Sequence, residues 1–215
     1  MGRQGVTAKT GPFEEYTGKY EDWFEENKYA YQSEVNAVKE ILPGFKNAVE
    51  VGVGSGRFAL PLDIKLGIEP SARMRKIAQS RGIDVIDAVA EDLPFEDISF
   101  DLVLMVTTLC FLDDAKKAFS EVYRILKPDG YFINGFVDKN SKVGRIYQKH
   151  KHKSIFYSIA SFYSTEEVIE LLKEAGFKNF VFRQTIFNTL DNIDDVEPVK
   201  EGYGEGSFIA VRAQK

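Results

Sequence analysis

Ala48-Val49-Glu50-Val51-Gly52-Val53-Gly54-Ser55-Gly56 is the stretch whose reading decides the fold. A short β-forming run leads straight into glycines at alternate positions, so the chain must turn sharply at a strand end and present bare main chain there. Onward from Asn47, further apolar runs alternate with helical patterns: Lys65 to Ile68, Asp84 to Val89, Phe100 to Val106 and Tyr131 to Val137. That rhythm predicts parallel strands covered by helices. Ser71 to Ser80 carries Met74, Ile77 and Ala78 on one helical face and stops at Gly82, while Ala115 to Leu126 carries Ala118, Phe119, Val122 and Ile125. In Lys127-Pro128-Asp129-Gly130, Pro128 ends the second of these helices and Gly130 is expected to take the turn into the next strand.

Nearer the C-terminus, Ser164-Thr165-Glu166-Glu167 has capping-box spacing before Val168, Ile169, Leu171 and Leu172, and Gly176 closes that helix. Two β-rich segments follow, Asn179 to Phe187 and Ser207 to Arg212, with no helical pattern between them, so they should pair antiparallel. The expected fold is α/β and doubly wound: a mostly parallel seven-stranded sheet with an antiparallel C-terminal strand and helices on both faces. The polar connection 188–206 is long for a structureless loop, and such loops tend to be mobile or to act as lids. Residues 1–12 read as a loose tail and 13–215 as one domain.

The length of 215 residues allows one full core. Lys and Arg number 28 against 33 Asp and Glu, a net charge of −5 that offers no general attraction for nucleic acid or an anionic membrane. The lone Cys110 cannot form an internal disulfide, and no apolar run approaches the length of a membrane span or a signal sequence. A reducing, cytoplasmic setting fits.

A glycine loop is weak evidence alone, so its spacing must be set against the dinucleotide fingerprint G-x-G-x-x-G. Counting from Gly52, the third glycine should stand at position 57, where this chain has Arg57. Pro61 also breaks or kinks any helix after the loop, and a pyrophosphate needs a well-formed helix N-terminus. A nicotinamide-dependent oxidoreductase is therefore the weaker alternative. Glu69 ends the second strand seventeen residues after Gly52, near the roughly twenty-residue spacing at which an acid accepts from ribose hydroxyls.

At this point the chain resembles the class I S-adenosylmethionine-dependent methyltransferases, in particular the subgroup of small-molecule and quinone-biosynthesis enzymes. The resemblance runs from about Tyr20 to Phe187. It is carried by Glu50 to Gly56, Gly67-Ile68-Glu69-Pro70-Ser71, Ala90-Glu91-Asp92-Leu93-Pro94-Phe95, Ser99-Phe100-Asp101-Leu102-Val103 and Arg124-Ile125-Leu126-Lys127-Pro128-Asp129-Gly130. It implies S-adenosylmethionine as cofactor, with Glu50 and the loop through Gly52, Gly54 and Gly56 holding the methionine portion and Glu69 the ribose. Val89, Ala90 and Glu91 would flank adenine. Relatives often carry Asp or Asn at the Val89 position, so recognition of the adenine amino group would pass to the Ala90 backbone and the Glu91 side chain. Leu93, Pro94 and Phe95 would pack near the adenine face, or simply in the core. Val106 and Thr107 would face the reactive end, and Tyr20 the methionine end. A non-catalytic adenosylmethionine- or adenosylhomocysteine-binding regulator is a rival with the same site.

Methyl transfer from a sulfonium is an in-line displacement with a neutral leaving group, so holding donor and acceptor in line can supply most of the acceleration. No triad or metal cluster is required, and no catalytic base can be singled out. The segments 13–42 and 138–163 are rich in Tyr and Phe and could cover the site beyond the strand ends, or pack on the sheet. In the first of them, Tyr16, Tyr20, Trp23, Phe24, Tyr29 and Tyr31 interleave with Glu14, Glu15, Glu21, Asp22, Glu25 and Glu26. That pattern would suit a cationic amine, or an amphipathic helix with its acids in water. His150 and His152 are spaced as on one face of a strand, among lysines that disfavour a metal. After the fourth strand, Val106-Thr107-Thr108-Leu109 lacks the Asn-Pro-Pro-Tyr type of motif of relatives that methylate bases or glutamine. The expected acceptor is a small molecule, methylated on O, N or C.

Overall fold

The structure, a computed structural model, describes residues 8–215. As far as residue 7, the expected tail lies outside the described residues. Beyond that, Lys9 donates to the Leu112 carbonyl and pairs with Asp113, and Gly11 opens the first helix, so packed structure reaches into the stretch read as tail. Three helices come first, α1 Gly11–Glu15, α2 Thr17–Glu26 and α3 Lys28–Glu40. Then follow β1 Ala48–Val51, β2 Leu66–Ile68, α4 Ala72–Ser80, β3 Asp84–Ile86, β4 Phe100–Val106, α5 Ala115–Ile125 and β5 Leu126–Val137. The chain ends with α6 Lys142–His150, α7 Thr165–Ala175, β6 Lys178–Thr185, β7 Lys200–Glu201 and β8 Phe208–Gln214.

The sheet runs β3-β2-β1-β4-β5-β8-β6-β7. The strands from β3 to β5 are mutually parallel, β8 is antiparallel to β5, and β6 and β7 continue the antiparallel end. Among the described residues the sheet has eight strands where seven were expected. The extra one, β7, is a polar pair of residues inside 188–206, too short to leave a period-2 pattern. That connection is also pinned: the Glu197 carboxylate accepts from the Phe187 N–H and the Asn188 amide, while its own N–H donates to Ser33 Oγ at 2.8 Å.

Alternation along β4 builds a core on each face. Val103 and Met105 face Phe119, Val122 and Ile125 of α5 and Val168 and Leu172 of α7, while Leu102 and Leu104 face Val35, Val38 and Ile41 at the end of α3. The Ser164 capping box is present in full, with Gly176 left-handed at φ 102°. One turn differs from expectation. Asp129, at φ 62°, takes the left-handed position after α5, and Gly130 is needed because a Cβ would stand 2.9 Å from the Lys127 carbonyl.

The chain winds outward from β1 to β2 and β3, then returns to β4 on the other side of β1. This reversal leaves a crevice beyond the carboxyl ends of β1 and β4, where open α/β sheets take their ligands.

Candidate active site

After β1 the main chain folds back on β2, with the N–H groups of Gly52 and Val53 both donating to the Ile68 carbonyl at 2.8 and 2.9 Å. Gly52, Gly54 and Gly56 take φ of 74°, 54° and 88°, which only glycine adopts freely. Protein atoms fill the space that a Cβ would need: the Thr108 side chain at Gly52, the Tyr20 hydroxyl 3.0 Å away at Gly54, and Ile83 with Ala78 at Gly56. The glycines thus let neighbouring elements close on the loop. Gly56 faces the core, whereas Gly52 and Gly54 line the cleft. Among the described residues, the chain between β1 and β2 holds no α-helix. Pro61 sits in a single 3-10 turn, Leu60–Leu62, closed by left-handed Asp63.

Glu69, 8% exposed, stands at the end of β2. Its Oε2 accepts from the Gly54 N–H at 3.0 Å and its Oε1 from the Ser71 N–H at 2.8 Å, which leaves lone pairs on both oxygens for further donors. Burial pushes this carboxyl up to about 7, against the pull of those two N–H groups and of Arg75. Glu50 is buried more deeply and does not line the cleft. Its Oε2 has no partner, and burial holds its carboxyl far above the usual range.

A cleft of about 520 Å³ runs along Gly52, Gly54, Glu69, Met74, Val106 and Thr107, walled also by Phe13, Tyr20 and Phe111. Through Gly52, Pro70 and Thr108 it continues into a space lined by Ala88, Val89, Ala90 and Glu91. The Glu91 carboxylate is engaged there, accepting from the N–H groups of Asp113 at 2.9 Å and Asp114 at 3.2 Å. Leu93 lies in the core and Phe95 packs edge-on to Phe100 at its border, whereas Pro94 is exposed.

In the other direction the cleft shares Phe13, Tyr20, Thr107 and Phe111 with a cavity of about 710 Å³. Thr107, at the junction, takes φ 51°, a strained conformation for a β-branched residue and of the kind that collects at functional sites. The larger cavity is walled by Trp23, Phe24, Phe58, Tyr147, Phe156 and Tyr157, so segments 13–42 and 138–163 do meet over the strand ends.

The acids interleaved with the front aromatics lie elsewhere. Glu14 accepts from the Ala72 N–H at the start of α4, Glu21 binds Arg57 and Arg81, and Glu25 binds Arg57. The carboxylate lining the cavity is instead Glu34 of α3, 5% exposed, and burial alone pushes it up to about 8. Among the described residues, no hydrogen bond or ion pair reaches it. Its signal was present in the sequence, since Ala30, Glu34, Ala37, Val38 and Ile41 form the buried stripe of α3 and one member is an acid. His150 ends α6 and His152 lies in the 3-10 turn after it, so the pair is not on a strand; both are exposed.

Known proteins bear on this arrangement. The family model of the methyltransferase domain matches residues 49–134. The crystal structure of a Thermotoga maritima SAM-dependent methyltransferase, named a possible histamine N-methyltransferase, superposes with a TM-score of 0.94 at 51% identity, covering 96% of this chain and 99% of that one. An uncharacterized Methanocaldococcus jannaschii protein is 49% identical over 203 residues, which are 94% of this chain and 98% of that protein. The ubiquinone/menaquinone biosynthesis C-methyltransferase UbiE of Rickettsia bellii is 30% identical over 174 residues, 64% of this chain and 70% of the enzyme. Fold, site and relatives together define a methyltransferase. The chain belongs to the class I S-adenosylmethionine-dependent methyltransferases, and S-adenosylmethionine is its cofactor. The residues present fit that molecule: a carboxylate with lone pairs to spare at Glu69, bare main chain at Gly52 and Gly54, and an apolar end at Ala88 to Ala90. None of the described helices is long and apolar enough to cross a membrane.

Proposed function

We propose that this enzyme methylates the nitrogen of a small amine held in the 710 Å³ cavity. The observation that carries the reading is a lone buried carboxylate, Glu34, in a chamber walled by aromatic rings that opens onto the cofactor cleft at Thr107 and Tyr20. Ring faces and a desolvated carboxylate attract a cation with an apolar body. The amine acceptor in the name of the Thermotoga maritima relative agrees with this chemistry.

In the cleft, Glu69 would accept from the ribose hydroxyls, Gly52 and Gly54 would border the methionine portion, and Ala90 and Glu91 would border adenine. Bound S-adenosylmethionine supplies a sulfonium methyl whose leaving group is neutral. Thr107, Val106 and Tyr20 set the approach, and the enzyme's share of the acceleration is chiefly alignment. Burial and the charges of Glu69 and Glu50 hold the Tyr20 phenol far above its ordinary value, so it stays protonated and acts as a hydrogen-bond donor.

The test is a panel of amines, phenols, quinols and carboxylic acids assayed for adenosylhomocysteine release. Amines with an aryl or alkyl body are expected to turn over. Turnover confined to quinols or phenols would remove the amine reading, and no turnover together with tight adenosylmethionine binding would favour a regulator.

A further inference from the structure

We infer that Glu34 is the proton acceptor of the methyl transfer as well as the counter-ion of the amine. This rests on the amine reading above. Most alkylamines reach the enzyme as ammonium ions, and an ammonium nitrogen has no electron pair to give. A base must therefore take one proton inside the cavity before transfer. Among the carboxylates placed around the site, Glu50 lies behind the glycine loop, Glu69 and Glu91 accept from main-chain N–H groups in the cofactor cleft, and Glu14, Glu21 and Glu25 serve α4 and the arginines. Among the described carboxylates, Glu34 alone lines the acceptor cavity.

The other titratable groups facing that cavity are Lys19 and Tyr20 from α2, Tyr147 from α6 and Tyr157 from a second 3-10 turn, Tyr157–Ile159, further on. Lys19 is exposed and held over the Tyr16 ring. Burial raises Tyr20, Tyr147 and Tyr157, and it raises Tyr31 one turn earlier on α3, so the phenols stay neutral and compete with Glu34 for no proton near neutrality. A carboxylate among them, pushed up by desolvation toward amine values, exchanges a proton with an ammonium at small cost.

The step balances. The ammonium N–H bond breaks and its proton bonds to the Glu34 carboxylate. The freed nitrogen pair forms the N–C bond while the C–S bond breaks with its pair left on sulfur, yielding a methylammonium and a neutral thioether. The Glu34 proton passes to solvent when product leaves.

The test compares wild type with Glu34→Gln, using an amine the wild-type enzyme methylates. At pH 7 the variant should lose about 10²- to 10⁴-fold in kcat with its adenosylmethionine Kd unchanged. The loss should shrink below about tenfold once the pH exceeds the amine's own pKa, because the substrate then arrives deprotonated. Calorimetry in buffers of different ionisation heat supplies a second readout: amine binding to wild type near pH 7 should release close to one proton, and binding to Glu34→Gln should not. A variant that keeps its kcat and changes only KM overturns the base assignment while leaving the amine reading intact. A loss equal at every pH, with weaker cofactor binding, overturns it in favour of a structural role. Failure of wild type to methylate any amine removes both.

Discussion

The cofactor cleft and the aromatic cavity meet at Thr107 and Tyr20, yet they are built in opposite ways. The cleft is made where the sheet ends: main-chain turns after β1 and β4, and one acid at the tip of β2 whose oxygens are already ordered by Gly54 and Ser71. The cavity is walled mostly by side chains of the helical segments, from Phe13 and α2 on one side and Tyr147, Phe156 and Tyr157 on the other, and its one buried acid has no partner among the described residues. A polar group with ready-made partners can wait for its ligand at little cost, whereas one without partners is held in a state that only the ligand relieves. The first arrangement suits a constant cofactor, and the second makes selectivity.

Breaking the cleft side should give the largest effect on cofactor binding. Glu69→Ala removes the paired acceptor and frees the Gly54 and Ser71 N–H groups, so adenosylmethionine binding should weaken by about 1–3 kcal/mol in calorimetry. Once cofactor is saturating, the KM for acceptor should stay within about twofold, because Glu69 does not line the larger cavity. An unchanged cofactor Kd would take Glu69 out of the site.

The cavity side should answer in stability. Because the folded-state pKa of Glu34 lies above its ordinary 4.5, the native chain binds more protons than the unfolded one, and stability falls as pH rises from about 4.5 to about 8. Glu34→Gln removes that penalty. Near pH 9 the variant should melt higher, by up to about 5 kcal/mol or roughly 10–20 °C, with the advantage vanishing near pH 4.5. Equal melting at both pH values would mean that Glu34 has a partner after all, and the contrast between the two regions would fail.

This contrast also explains what could be read in advance. The strands from β1 to β5, the covering helices and the Ser164 cap follow from local periodicity and punctuation, which need no tertiary information. Glu69 was legible because a strand end fixes where its side chain goes. Glu34 was not singled out because it follows more conspicuous acids on α1 and α2, and only packing shows that Glu14 binds α4 and Glu21 binds Arg57 and Arg81 while Glu34 turns inward. Gly56 shows the same dependence: the loop pattern marks a turn, but that its bare side meets Ile83 is decided by how α4 and the chain before β3 pack. The strand β7 escaped because two polar residues carry no period.

A finer probe of the same contrast is the pH dependence of cofactor binding. Glu69 is pushed up to about 7 by burial, so lowering the pH protonates a group whose ionised form is the better acceptor for hydroxyl donors. Adenosylmethionine affinity should therefore fall by up to about tenfold between pH 8 and pH 6, the ratio of ionised fractions for a group titrating near 7. Glu69→Gln should bind more weakly at pH 8 but flatten this profile, whereas Glu34→Gln should leave its shape alone. Should the slope persist in Glu69→Gln and vanish in Glu34→Gln, the group that the cofactor senses is Glu34 across Thr107, and cleft and cavity would have to be treated as a single electrostatic unit.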